Sequence, residues 1–272
     1  MSYTSLHLYL RPEINVPVLG ASGEVVREIP LPEIFRFPVR KDIIKRVYLS
    51  EFTAKLQPKG RDPMAGKRTS ARSYGVGLGL ARVPRIRGTG RGALVNMTRG
   101  GRLAHPPRVE KRIHEEVNRK ERIIGIVSAL SATAIPEMVR DRGHRFSAKA
   151  LPVVIADEVV QSISKTKEAK ELLNAIGIYE DVARVRERTR NRAGKGKMRG
   201  RRLKKPVGPL FVLESREAPL ALSIQNLPGV EVVEPLILSV IHLAPGGVPG
   251  RLAVFQESTL HMLHERLKVA VP

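Results

Sequence analysis

The sequence predicts an α/β layered fold with a mainly parallel sheet, and three observations carry that expectation. Four short apolar runs, Leu151-Pro-Val-Val-Ile-Ala156, Pro209-Leu-Phe-Val-Leu213, Val230-Glu-Val-Val233 and Leu252-Ala-Val-Phe255, have the near-continuous hydrophobicity of strands covered on both faces. Helical stretches separate these runs, and such alternation lays helices over a parallel sheet. The chain has 272 residues, 42% of them hydrophobic, which is enough for a real core in one or two domains.

In chain order, Leu6, Leu8 and Leu10 alternate with Ser5, His7 and Tyr9, the period of a half-buried strand. Residues 41–56 read as a helix with Ile43, Val47 and Phe52 near one side, stopped by Pro58. After Pro106-Pro107 a long helix is expected. Ile113, Val117, Ile124, Val127 and Leu130 recur at helical spacing, with Glu115–Arg119 and Glu116–Lys120 as supporting i,i+4 pairs, and Pro136 ends or kinks it. Thr166 to Ile176 places Ala169, Leu172, Leu173 and Ile176 on one face, with Gly177 just past the end. Another helix is expected before Arg190, and a last one from Ser258 to Leu267.

Two stretches do not fit a globular body. Residues 55–108 hold thirteen Lys or Arg against one acid, Asp62, and ten glycines fall between Gly60 and Gly101. So much glycine and so few apolar side chains cannot build a core, and the stretch is far longer than an ordinary loop. Residues 190–205 hold nine basic residues and no acid. The domain reading is one discontinuous body, 1–54 and 109–272, with an extended basic arm at 55–108 and a second basic loop at 190–205. If both sides of the arm are extended, about twenty-five residues a side reach on the order of 80 Å.

The whole chain carries a net charge of +22 and a pI near 10.9. A polyanion is therefore the expected partner, nucleic acid ahead of an anionic membrane. Both basic stretches are internal, so folded structure anchors both ends of each. Both mix Gly with Arg, which lets backbone approach phosphate closely. Aromatics are 4% of the chain and Trp is absent, so phosphate contacts should outweigh base stacking on aromatic platforms. No apolar run reaches the ~20 residues of a membrane span, and the N-terminus lacks the pattern of a signal peptide. With no cysteine there is no disulfide and no thiolate metal site.

The catalytic inventory is thin. Gly60 to Arg68 misses a Walker loop: five residues separate the glycines, and Arg68 stands where Ser or Thr would hold magnesium. Gly75-Val-Gly-Leu-Gly79 has its third glycine at the wrong offset for a dinucleotide fingerprint. Gly194 to Gly200 is no Walker loop either. His261 and His264 lack the Glu of a metalloprotease helix and read as a solvated face. Asp157 and Glu158 follow a strand, where enzymes place acids, but acids at a helix start are equally ordinary. No enzyme, metal or cofactor is expected.

Ser73-Tyr-Gly-Val-Gly-Leu-Gly-Leu-Ala-Arg-Val-Pro-Arg-Ile-Arg-Gly88 and Asn96-Met-Thr-Arg-Gly-Gly-Arg-Leu-Ala-His-Pro-Pro107 closely resemble the archaeal and eukaryotic type of the ribosomal protein L-four family of the large subunit. Gly194-Lys-Gly-Lys-Met-Arg-Gly-Arg-Arg202 and Ser164-Lys-Thr-Lys-Glu168 resemble further motifs of that family, and the likeness extends over nearly the whole chain. The lack of a long C-terminal extension favours the archaeal type. The resemblance implies a three-layer, Rossmann-like α/β body and a long loop threading through large-subunit rRNA. It implies a cytoplasmic ribosomal component that supports assembly, not a homo-oligomer and not a membrane protein. The loop tip, Tyr74, Gly75, Val76, Gly77, Leu78, Gly79 and Leu80, would line the nascent-peptide exit tunnel opposite ribosomal protein L-twenty-two and meet the nascent peptide.

The expected rRNA contacts are Lys59, Arg61, Lys67, Arg68, Arg72, Arg82, Arg85, Arg87, Arg91, Arg99, Arg102 and Arg108 on the arm. On the second loop they are Arg192, Lys195, Lys197, Arg199, Arg201, Arg202, Lys204 and Lys205. Two rival readings compete. An RNA-modifying α/β methyltransferase needs a glycine-rich cofactor loop after a buried strand, and Asp-Glu-Val-Val follows Ile155-Ala instead. An architectural DNA-binding protein has the same charge, and comparing affinity for folded rRNA and duplex DNA at matched salt separates it.

Overall fold

The computed structural model describes residues 10–268. In chain order these form β1 (Asn15–Leu19), β2 (Val25–Pro30), α1 (Lys41–Ala54), α2 (Arg119–Thr133), α3 (Pro136–Asp141), β3 (Val153–Ile155), α4 (Asp157–Ser162), α5 (Thr166–Ala175) and α6 (Tyr179–Arg188). There follow β4 (Arg190–Asn191), β5 (Leu203–Lys204), β6 (Leu210–Val212), α7 (Pro219–Ile224), β7 (Glu231–Val233), α8 (Val240–Leu243), β8 (Ala253–Gln256) and α9 (Glu257–Lys268). The chain divides into two compact units, a body up to Phe52 and from Glu116 onward, and an arm, Thr53–Glu115.

The body is built on a six-stranded sheet in the order β2-β1-β3-β8-β6-β7. All pairings are parallel except β1 with β2. The four apolar runs of the sequence are β3, β6, β7 and β8, and their side chains alternate between two separate cores. Val154, Leu210, Val212, Val233 and Phe255 face one side, packed with residues of α1, α2, α8 and α9. Val153, Ile155, Phe211, Val232 and Val254 face the other, packed with α3 to α7. A sheet sandwiched between helices makes three layers, and it explains why these strands are apolar without alternation.

Local chemistry fixes the helix ends. α5 stops in the expected way: Gly177 takes φ +73°, its N–H reaches Asn174 O at 3.1 Å, and Ile178 N–H reaches Leu173 O at 2.9 Å. That pair of bonds satisfies carbonyls the helix leaves open. Gly125 sits in mid-helix because a Cβ there would come within 2.8 Å of Val47 Cγ2 on α1. α2 ends at Thr133, just before Pro136, as expected; Pro136 then opens α3 at the first helical position, where its missing N–H is harmless.

Two expectations need correction. The helix expected from the 113 region begins only at Arg119, so Glu115 and Glu116 precede it. Its first buried residue is Gly125, and Ile113 and Val117 are only half-buried. Val117 packs on the core from the segment before the helix, so apolar spacing there did not require helical structure. The β1–β2 hairpin was not anticipated either, because β2 is almost wholly exposed and carries no alternation. The strand expected over residues 5–10 lies, apart from Leu10, outside the described residues.

No arm residue belongs to either core of the body. The arm's two ends meet, with Glu115 N–H donating to Thr53 Oγ1 at 3.1 Å. A chain in which a short Gly-Ser linker replaces residues 55–113 should therefore keep a single cooperative thermal transition. Calorimetry checks this, and a broad, non-cooperative melt would show that the body needs its arm.

Candidate nucleic-acid interface

The arm is tied at its base by backbone contacts. Arg61 N–H donates to Pro107 O at 3.2 Å. Gly60 leaves room where a Cβ would approach Val109 Cγ2 to 2.5 Å. Asp62 accepts from Met64 N–H at 3.0 Å and grips Arg68 through both oxygens, one at 3.1 Å from Nη2. That fork holds the Asp62 carboxyl below its usual range and raises Arg68 above its own. The one acid of residues 55–108 is thus already neutralised inside the arm.

The centre of the arm folds back on itself. Arg72 and Arg85 exchange N–H···O bonds of 3.1 and 3.0 Å, and Arg85 bridges Gly92 on its other side. Residues 86–91 reverse the chain, closed by Ile86 N–H to Arg91 O at 2.9 Å. A second tight loop follows, with Arg102 N–H on Leu94 O at 3.1 Å and Thr98 Oγ1 on Val95 O at 2.7 Å. Gly101 is packed so closely there that a Cβ would lie 1.8 Å from Val95 O. Leu94 holds φ +73°, a left-handed conformation that costs a bulky residue roughly 1–2 kcal/mol. This geometry corrects the reach expected of the arm: the return side is not extended, so the ~80 Å estimate is too long.

Beyond the Arg72–Arg85 pair the tip projects as residues 73–84. Tyr74, Val76, Leu78 and Leu80 are 43, 72, 60 and 54% exposed, an unusual run of open apolar side chains. They alternate with Gly75, Gly77 and Gly79 at φ +87°, +87° and +64°. A Cβ on these glycines would meet nothing within 4 Å. Glycine is needed here for backbone conformation, not for space.

The charged residues are displayed as a basic surface should be. Lys59, Arg61, Lys67, Arg68, Arg72, Arg82, Arg87, Arg91, Arg99, Arg102 and Arg108 are exposed. Arg85 is the exception: it is half-buried, and its Nη1 donates to Gly90 O at 2.9 Å. Its first role in the structure is to brace the 86–91 reversal. The near-miss Walker stretch forms a turn with no helix after it. His261 lies 3.4 Å from Glu265 on an exposed face of α9. Asp157 and Glu158 occupy the first turn of α4, which starts directly after β3 and leaves no glycine loop for a cofactor.

The second basic stretch is a hairpin. β4 pairs antiparallel with β5, continued by Arg192 N–H to Arg202 O at 2.7 Å. A 3₁₀ turn, Lys195–Arg199, lies between Gly194 and Gly200, both at positive φ. Arg192, Lys195, Lys197, Arg199, Arg201, Arg202, Lys204 and Lys205 are all exposed, and no acid on the hairpin relieves their mutual repulsion.

Sequence reasoning missed what fixes this hairpin to the body. Arg184 on α6, just before it, donates from Nη2 to Val207 O, just after it, at 2.7 Å. Asp181 holds that guanidinium, Nε to Oδ1 2.8 Å, and also accepts from Arg145 N–H at 3.0 Å and sits 2.9 Å from His144 Nδ1. Arg251 adds a bond from Nε to Gly208 O at 3.0 Å. Asp181 and Arg184 are an i,i+3 pair on α6, but the partners they join, His144 and Val207, lie 37 and 23 residues away and gave no signal of this assembly.

The network makes stability pH-dependent. Burial pushes His144 below its ordinary value, with Asp181 opposing only in part. Burial works to raise Asp181, but hydrogen bonds from His144 and Arg184 outweigh it and hold the carboxyl low. A depressed imidazole loses stability as pH falls below its unfolded value of about 6.5, because the unfolded chain takes the proton first. A depressed carboxyl adds a second loss as pH falls below about 4. The melting temperature should therefore be flat above pH 7 and decline from about pH 6.5 downward. In Asp181→Asn, destabilised by about 3–5 kcal/mol, the loss below about pH 4 that belongs to the carboxyl should disappear, while the decline from about pH 6.5 should remain. A melting temperature that rises on acidification would contradict the assignment.

Comparison with known proteins agrees with this architecture. Residues 29–266 match the model of the ribosomal protein L4/L1 family. Over its full 272 residues the chain is 57% identical to the large ribosomal subunit protein uL4 of Aeropyrum pernix, covering 100% of both. It is 53% identical to the protein of the same name from Sulfurisphaera tokodaii, covering 96% of this chain and 98% of that one. A third, from Sulfolobus acidocaldarius, is 53% identical over 93% of this chain and 95% of its own length. A match over most of the chain, with identity this high from end to end, leaves no other family in play: the chain belongs to the ribosomal protein L4/L1 family.

Proposed function

We propose that the protein is a structural, non-enzymatic constituent of the large ribosomal subunit that binds large-subunit rRNA and supports its assembly. The body, residues 1–54 and 109–272, is the single discontinuous domain that anchors it, and the arm and the β4–β5 hairpin are the rRNA contacts. The tip, Tyr74 to Leu80, lines the peptide exit tunnel facing ribosomal protein L-twenty-two and the nascent peptide. The observation that carries this reading is the charge of the arm. Its thirteen basic residues stand against one acid, and Arg68 already occupies that acid. Such a surface is at rest only against a polyanion. The open apolar tip supports the tunnel assignment, since exposed Val76 and Leu78 suit a wall along which chains pass without charge pairing.

The test is co-sedimentation with large subunits after a high-salt wash, paired with a salt titration of binding to isolated rRNA. Each phosphate neutralised adds about 0.7–0.9 to the slope of log K against log salt. With roughly six contacts, affinity should fall several-hundred-fold or more between ~50 and ~200 mM salt. Arg199→Ala, Arg201→Ala and Arg202→Ala together should flatten the slope by about two units. An unchanged slope would remove the hairpin from the interface, and equal affinity for duplex DNA would favour the architectural reading.

A further inference from the structure

The arm carries an open cavity of about 360 Å³ within its own fold. Met64, Ile86 and Leu94 supply its apolar lining, and Arg68, Arg91 and Arg99 stand around it. No acid lines it. We propose that this cavity receives one unpaired nucleotide of the bound RNA, its base among Met64, Ile86 and Leu94 and its phosphate among the three arginines. The inference rests on the RNA-binding reading of the arm and deepens it.

Three features separate this hollow from an accidental gap. Its size is at the lower end of the ~300–1,000 Å³ typical of small-ligand sites, room for one nucleotide and not for a duplex. Its walls are held firmly. Gly66 and Gly101 pack so tightly that a Cβ on Gly66 would lie 2.5 Å from Arg102 N, and Arg91 Nη2 donates to Arg99 O at 3.3 Å. Its wall also contains the strain of the arm: Leu94 is the one non-glycine residue with positive φ among the described residues. Glycine would adopt that conformation freely, so a leucine there is explained by what its side chain does. Unstacked bases in RNA are held by such sites, sandwiched by apolar groups and guanidinium planes where aromatic rings are lacking. The Arg68 guanidinium is fixed by Asp62, while Arg99 is exposed and turned to no acid among the described residues.

The experiment uses the full chain and two RNA stem-loops that differ by one unpaired adenosine, replaced by 2-aminopurine for fluorescence, at matched salt. The stem with the unpaired base should bind about tenfold tighter, the order expected for one sequestered base, and its emission should change on binding. Ala93→Phe fills the cavity and should reduce the preference to within about twofold while the salt slope stays as in the parent, because no phosphate contact is touched. Leu94→Gly guards against misfolding, since it relieves the backbone while removing the apolar wall; it should lower the preference several-fold. Free AMP, added as competitor, should not displace the stem at equal concentration. Equal affinity for the two stems overturns the proposal, as does a preference that survives both variants. Tight binding of AMP that Ala93→Phe abolishes, without any preference between the stems, reassigns the cavity to a free nucleotide and overturns it too. Absence of salt-dependent binding to either stem would instead overturn the RNA reading on which it stands.

Discussion

Val154→Asp should leave the body largely unfolded. Val154 is fully buried at the middle of β3, paired with Val18 of β1 and Phe255 of β8. Its side chain belongs to the core that also holds Val16, Leu130 and Phe255. Losing the valine forfeits about 1.5–3 kcal/mol of apolar burial. The new carboxyl must then be protonated to stay inside. Raising its pKa from about 3.9 past neutrality costs roughly 4 kcal/mol at 1.36 kcal/mol per unit. The sum, about 6 kcal/mol, is comparable with the ~5–15 kcal/mol that holds a whole domain together. Val154→Ala, which removes methyl groups without adding charge, should cost about 2–3 kcal/mol and keep a cooperative transition. Denaturant unfolding followed by circular dichroism distinguishes them. An aspartate variant within ~1 kcal/mol of the parent would mean that β3 is not the centre of the sheet.

Why the sheet was legible while β2 and the start of α2 were not follows from the physics of each. β3, β6, β7 and β8 are covered on both faces over their central residues, which are apolar on both sides of the sheet, and a short run announces itself. α5 was legible to the residue at its end because Gly177 is the chemistry of the stop. β2 was not, since an exposed edge strand constrains its side chains little. The start of α2 was misjudged because the apolar spacing continues through Ile113 and Val117, and a partly buried residue such as Val117 packs on the core without being helical. In the arm, the glycines were visible because positive φ demands that residue type. The bracing role of Arg85 and the clamp of Asp181 and Arg184 were not visible. Both depend on which carbonyl lies within 3 Å in the folded chain, Gly90 O and Val207 O respectively.

Deleting Gly75 to Leu80 should leave subunit assembly intact and change what happens in the tunnel. The deleted residues lie beyond the Arg72–Arg85 backbone pair, and their side chains are open. The pairing that shapes the arm therefore survives, and so do the basic residues on either side. If the tip lines the tunnel as proposed, the variant should assemble normally while peptide-stalling efficiency or sensitivity to tunnel-binding antibiotics shifts. Arg85→Glu with Arg87→Glu should do the opposite. Arg87 is exposed, and if it meets phosphate as proposed its reversal sets a negative charge there. Arg85→Glu removes the donor that holds Gly90 O and sets a carboxylate against that carbonyl, so the 86–91 reversal opens. Arg87→Glu alone separates the two causes. It should lower the salt slope by about one unit, the value of one phosphate contact, and impair assembly less than the pair. Sucrose-gradient profiles beside stalling assays on the three variants make the comparison. If the tip deletion abolished subunits while the double variant assembled normally, the division between a tunnel-facing tip and an RNA-gripping stem would be wrong.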